Sequence, residues 1–185
     1  MIHEAKDSDG TRSISNQSNA VQIEIGTNVL SIDSSALSGC SNLTCVTIPN
    51  TTSKINCSAF RNDYNIKMLK IDAGVLYIEK NAFQSCSSLE HVIIPNTVKN
   101  IGNNAFQDCT SLKEVDATAN INVVIGAYAF QNCVNLESFV MSDAEYDPAY
   151  YVDDCFIENG AFKNCTKLKT VHFSKYVRGY NTSVF

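Results

Sequence analysis

Tryptophan is absent from this sequence, and charge is scarce. Only 18% of the 185 residues are Asp, Glu, Lys or Arg, below the usual quarter of a globular domain. The polar surface must come from uncharged groups, and 19 Ser, 12 Thr and 20 Asn supply it. A basic excess is missing too. The formal net charge of −5 argues against a nucleic-acid partner or an anionic membrane surface, since either needs a basic face. No long apolar run occurs. The longest, Val123 to Phe130, is far short of the roughly 20 residues that span a bilayer, so membrane insertion by this chain is not expected. The first ten residues contain no apolar h-region.

Chemical signatures are equally sparse. There is no Cys-x-x-Cys pair, and His3, His91 and His172 are scattered, so no metal site is expected. G-x-S-x-G, P-loop and H-E-x-x-H patterns do not occur. No catalytic residue and no cofactor is expected, and the chain reads as a non-enzyme.

Periodicity is what the sequence does contain. Six pairs recur: Ala36-Leu37, Ala59-Phe60, Ala82-Phe83, Ala105-Phe106, Ala129-Phe130 and Ala161-Phe162. The steps between their Ala residues are 23, 23, 23, 24 and 32. Ile stands four residues before each Ala. Four residues after it stand Cys40, Asp63, Cys86, Cys109, Cys133 and Cys165. Leu or Ile follows at seven, and an apolar residue such as Val46, Leu69 or Val92 at ten. The unit is I-x-x-x-A-F-x-x-C-x-x-L-x-x-V-x-I. The V-x-I end alternates with period two, the mark of a short strand with one buried face, and Pro49 and Pro95 stop it. The Ile-to-Cys stretch reads as a tight turn of helix or 3₁₀ helix. A 23-residue unit cannot bury its own apolar side, so the copies must stack and let their strands pair in parallel.

A period of this length with this L-x-x-V-x-I pattern is a leucine-rich-repeat signature. The segment Ile78-Glu-Lys-Asn-Ala-Phe-Gln-Ser-Cys-Ser-Ser-Leu-Glu-His-Val-Ile-Ile-Pro95 resembles the 23-residue BspA-like class of leucine-rich repeats. The expected fold is an α/β repeat: a curved right-handed solenoid with a parallel β-sheet on the concave face and short helical or 3₁₀ turns on the convex face. Residues 1–19 are expected to be a polar N-terminal tail or cap. Residues 20–185 should form about six repeats, ending mid-repeat, with Tyr180 and Val184-Phe185 where a seventh unit begins.

Most cysteines then belong to one rung of the ladder and serve packing. Cys45, Cys57 and Cys155 lie off it, and their disulfide state is open. Solenoids bind through their strand face. Alternation puts two ladders on its solvent side. The first runs Cys45, Met68, His91, Glu114, Ser138, Thr170, and the second Thr47, Lys70, Ile93, Asp116, Val140, His172. Met68, Lys70, His91, Ile93, Glu114, Asp116, Ser138, Val140, Thr170 and His172 are the candidate binding residues, against the bland reading of a solvated sheet face. The 32-residue step hides a nine-residue insertion within 143–154 carrying Tyr146, Tyr150 and Tyr151. Tyr-rich loops suit recognition, set against the somewhat better-favoured reading of a tolerated surface loop. Six N-x-[ST] sequons occur, at Asn16, Asn42, Asn50, Asn56, Asn164 and Asn181, an excess over chance too small to carry an argument.

The resemblance implies a surface or secreted protein with an adhesin-type role in cell adhesion, binding host or matrix proteins. The alternative is an intracellular, cytoplasmic interaction scaffold, consistent with ladder cysteines that need no oxidation. Either way the partner is a protein.

Overall fold

A computed structural model describes residues 5–6, 12–13, 22–119, 123–144 and 155–185. Two short strands, β1 (Ala5–Lys6) and β2 (Arg12–Ser13), pair antiparallel. From residue 22 onward the described residues form one coil repeated. Each coil contributes one strand to each of two parallel sheets. The V-x-I segments form the first: β3 (Gln22–Glu24), β5 (Cys45–Ile48), β7 (Met68–Ile71), β9 (His91–Ile93), β11 (Glu114–Ala117), β13 (Ser138–Met141) and β15 (Thr170–His172), stacked in that order. The second sheet uses the Ile that precedes each Ala-Phe pair. Its strands are β4 (Ser31–Ile32), β6 (Lys54–Ile55), β8 (Tyr77–Ile78), β10 (Asn100–Ile101), β12 (Val124–Ile125), β14 (Phe156–Ile157) and β16 (Gly179–Tyr180). Register follows the sequence period: Val46 lies beside Leu69, and Ile55 beside Ile78.

The core between the sheets is a set of side-chain ladders. Phe60, Phe83, Phe106, Phe130 and Phe162 stack ring on ring, with centroids 5.1–5.4 Å apart and planes within 10° of parallel. Offset stacking of this kind adds about 0.5–1.5 kcal/mol per pair beyond the area buried. Beside the rings runs the cysteine rung. The Sγ of Cys86, Cys109, Cys133 and Cys165 donates to the carbonyl oxygen of Phe60, Phe83, Phe106 and Phe130, in that order, at 3.2–3.3 Å. The thiols therefore do more than fill space: each satisfies a carbonyl of the preceding coil. Cys155, off the ladder, is also buried and donates to the Val123 carbonyl at 3.1 Å. All eight cysteines are free thiols.

The expected helical or 3₁₀ turns are not found, and no helix occurs among the described residues. The reason lies in two left-handed residues per coil. The residue before each Ala (Ser35, Ser58, Asn81, Asn104, Tyr128, Gly160) and the residue three after it (Gly39, Asn62, Ser85, Asp108, Asn132, Asn164) have φ between 59° and 75°. Asn, Asp and Gly tolerate this region best. Each left-handed residue breaks a helix and turns alternate N–H groups out along the stack. In the third coil, the N–H groups of Ala82, Gln84 and Cys86 bond within the coil, to Glu79, Asn81 and Phe83. Those of Asn81, Phe83 and Ser85 bond across to Asn103, Ala105 and Gln107 at 2.8–3.0 Å. The third side of the coil is thus another between-coil ladder. The helical spacing of Ile, Ala-Phe and Cys came from three inward-facing positions on successive tight turns.

One position breaks the cysteine rung. Asp63 is fully buried there. Its Oδ1 accepts the Cys40 N–H at 2.6 Å, while Oδ2 has no hydrogen-bond partner among the described residues. Loss of water raises its pKa to about 7 despite the Cys40 and Gly39 N–H groups that oppose the rise.

Candidate binding face

Strand alternation sorts the first sheet cleanly. Val46, Ile48, Val92, Val115, Ala117, Phe139 and Met141 point into the core. The residues between them point out, and parallel pairing aligns them across coils. Met68 lies between Cys45 and His91, and Glu114 between His91 and Ser138. Thr170 ends this ladder beside Ser138, and in the second ladder Val140 stands between Asp116 and His172. Met68 (67% exposed) and Ile93 (62%) are the large apolar side chains most open on this face. Val140, Asp116, Ser138, Cys45 and Thr47 are half-buried, while Lys70, His91, Glu114, Thr170 and His172 are exposed. Tyr146, Tyr150 and Tyr151 lie outside the described residues.

Two acid–histidine pairs mark the face. His91 Nδ1 is 3.6 Å from Glu114 Oε2 on the neighbouring strand. His172 Nε2 is 2.8 Å from Asp143 Oδ2, and Asp143 Oδ1 accepts the Lys175 N–H at 2.8 Å. That N–H, and then the charge of His172, hold Asp143 below the usual carboxylate range. Lys70 pairs with Asp72 at 3.0 Å. The two histidines are three strands apart, about 14 Å at the usual strand spacing, so they cannot meet on one reacting atom. Among the described residues no three His, Cys, Asp or Glu side chains come together as a metal-binding group.

A charged ladder borders the face on the rung just before the strands. It runs Lys67, Glu90, Lys113, Glu137, Lys169 and alternates in sign at every coil. Glu90 meets Lys113 at 2.5 Å, and Glu137 meets Lys169 at 2.9 Å. Both carboxylates are held below their ordinary pKa by the lysine they touch. The sequence reading missed this ladder, together with Gln22 and Glu24, which β3 adds to the outer face beside Cys45 and Thr47. The 23-residue offset would have found all of them, since each repeats a position already aligned.

Two parallel sheets built from one coil, with ladders of recurring residues inside and variable residues outside, define a leucine-rich-repeat β-solenoid. The chain belongs to the BspA type leucine-rich repeat family, whose pattern matches residues 10–137 and 124–185 in six copies. Its fold is similar to that of the T. pallidum leucine-rich repeat protein TpLRR, with TM-score 0.78 and 20% identity over 97% of this chain and 82% of that one. A leucine-rich cell surface protein from Faecalibacterium prausnitzii A2-165 aligns with TM-score 0.63 and 20% identity over 92% of this chain. A leucine-rich repeat protein from Bacteroides ovatus ATCC 8483 aligns with TM-score 0.61 and 21% identity over 97%. This chain spans 37% and 54% of the length of those two proteins. No curated protein matches the sequence. The fold is one that serves protein interaction. No helix among the described residues is long and apolar enough to cross a membrane.

Proposed function

We propose that this chain is a non-enzymatic, adhesin-type binding module, on a cell surface or secreted, that engages a host or matrix protein through the outer face of its first sheet. The observation that carries this reading is the exposure of Met68 and Ile93 on neighbouring strands, framed by Lys70, His91, Glu114 and Asp116. Exposed apolar residues rimmed by charge form the usual plan of a docking patch. The cell-surface neighbour from Faecalibacterium supports the location by analogy of fold. Tyr146, Tyr150 and Tyr151 are proposed to add contacts from the insertion.

The test is binding to immobilised matrix proteins, comparing the wild type with Met68→Glu/Ile93→Glu and with Tyr150→Ala/Tyr151→Ala. Loss of about tenfold or more in the first pair is expected, because a buried charge at an interface centre costs several kcal/mol. Unchanged affinity in that variant overturns the face, and unchanged affinity in the second removes the loop. An intracellular scaffold is the second reading. It is favoured by four ladder thiols that donate hydrogen bonds to carbonyls and so work only in reduced form. Proteins captured from a reduced cytosolic extract and lost with Met68→Glu/Ile93→Glu would favour it over the first.

A further inference from the structure

The outer face of the first sheet carries sulfur and imidazole side by side. Parallel register places Cys45 beside Met68 and Met68 beside His91, on β5, β7 and β9. A thiol, a thioether and an imidazole thus occupy one row in three successive coils. The rest of that row, Gln22, Glu114, Ser138 and Thr170, offers only oxygen ligands. Met68 is one of three methionines in the chain, and it is open to solvent, whereas Met141 is buried in the core. Cys45 is half-buried and His91 exposed, so all three stand on the open side of the sheet.

No three His, Cys, Asp or Glu groups gather among the described residues, and it is the thioether that completes this set. Cys45 and His91 are two strands apart, about 10 Å at the usual spacing. The long, unbranched side chain of Met68 rises between them. An ion seated over Met68 is flanked on one side by the Cys45 thiol. On the other side it meets the imidazole nitrogen with the longer reach, Nε2. The next strand prepares that nitrogen. Glu114 Oε2 lies 3.6 Å from His91 Nδ1, which favours the proton on Nδ1 and leaves the Nε2 lone pair free. A carboxylate behind the imidazole is the usual support of a metal-bound histidine.

We propose that Cys45, Met68 and His91 bind a single Cu(I) ion. Thiolate and thioether select a soft ion, and sulfur opposed to nitrogen suits an ion content with two strong ligands and a weaker third. Zinc fits poorly, since it takes four ligands drawn from thiolate, imidazole, carboxylate and water. Binding exchanges the thiol proton of Cys45 for the metal and releases it to water. The site does not rest on the protein-binding reading, although Met68 serves both.

The test uses the whole protein with Cys57→Ser, which removes the exposed competing thiol. Cu(I) is supplied anaerobically with ascorbate, in competition with bicinchoninate. One ion per chain is expected, and Cys45→Ser should abolish binding. Met68→Leu and His91→Ala should each weaken it by at least the roughly tenfold that loss of a supporting group costs a metal site. In the methyl spectrum the Met68 Cε signal should shift on loading, and that of Met141 should stay. Urea midpoints should hold, because the three side chains lie outside the core. Met68→Leu keeps the face apolar, so matrix binding should survive it while copper affinity falls, and the two readings fail separately. Absence of binding overturns the proposal, as does copper retained by the Cys45→Ser protein. Unchanged affinity in Met68→Leu or His91→Ala, or an unmoved Met68 methyl signal, does the same, since the thiol alone would then hold the ion.

Discussion

Replacing Asp63 should stabilise this protein at neutral pH and do little in acid. Every other rung of the ladder carries a thiol that donates to a carbonyl of the preceding coil, or Cys40 in the first coil. Asp63 puts a carboxyl there with one oxygen unpartnered. Its folded pKa is about 7, against 3.8 for the free side chain, chiefly through lost hydration. Between those values the native state holds a proton that the unfolded chain releases. Stability therefore falls as pH rises through that window; it is fullest below about pH 4 and the loss is complete above about pH 7. At about 1.4 kcal/mol per pH unit, the loss reaches at most about 4 kcal/mol. With a urea slope of about 2 kcal/mol per molar for a chain of this size, Asp63→Cys should raise the midpoint by about 1–2 M at pH 8. At pH 4 the gain should shrink to the cost of one neutral unpaired group, about 1 kcal/mol. Asp63→Asn, which cannot ionise, should show the same flattening of the pH profile. The assay is urea unfolding by circular dichroism, with reductant, at half-unit steps from pH 4 to pH 8. Profiles of wild type and Asp63→Asn that run parallel over this range would refute the reasoning, because the buried carboxyl would then not be titrating.

Other predictions follow from the same ladders. Phe106→Ala, at the centre of the ring stack, should cost about 3–5 kcal/mol, measured by the same unfolding; a cost near 1 kcal/mol would mean that the neighbouring rings collapse into the gap. In native protein a thiol reagent should label Cys57 first, then the half-buried Cys45, with Cys165, its pKa pushed up to about 12 by burial, slow; eight thiols should react after unfolding, and rapid native labelling of Cys86 or Cys109 would contradict the packing. Gly160 has φ of +65°, which Asn tolerates at the same place in two other coils. A Cβ there, however, would fall 2.4 Å from the Tyr128 ring. Gly160→Asn should therefore destabilise clearly in the wild type and much less beside Tyr128→Asn, and additive costs in that double-mutant cycle would remove Tyr128 as the cause.

The 23-residue period in the sequence was enough to determine the stacking, the register and the inward ladders. Apolar residues recurring at one offset can be buried only if equivalent positions lie side by side. The same offset singled out Asp63 as the odd rung and sorted Met68, His91 and Ile93 onto the open side of a strand. Backbone conformation was not legible. Ser, Asn and Asp before most of the Ala and Cys residues are compatible with a helix cap, a loop or a left-handed turn, and only the hydrogen bonds between coils select the last. Those bonds join residues 22, 23 or, across the insertion, 31 apart, beyond the reach of any local preference, and they replaced the expected helix with a third ladder. The fate of each thiol was equally hidden, since the carbonyl it satisfies belongs to another coil. The tertiary structure also decided which polar repeats pair across coils. Alternating Lys and Glu at one offset mean little in a linear sequence. Stacked at strand spacing they become ion pairs between neighbouring coils, Glu90 with Lys113 and Glu137 with Lys169.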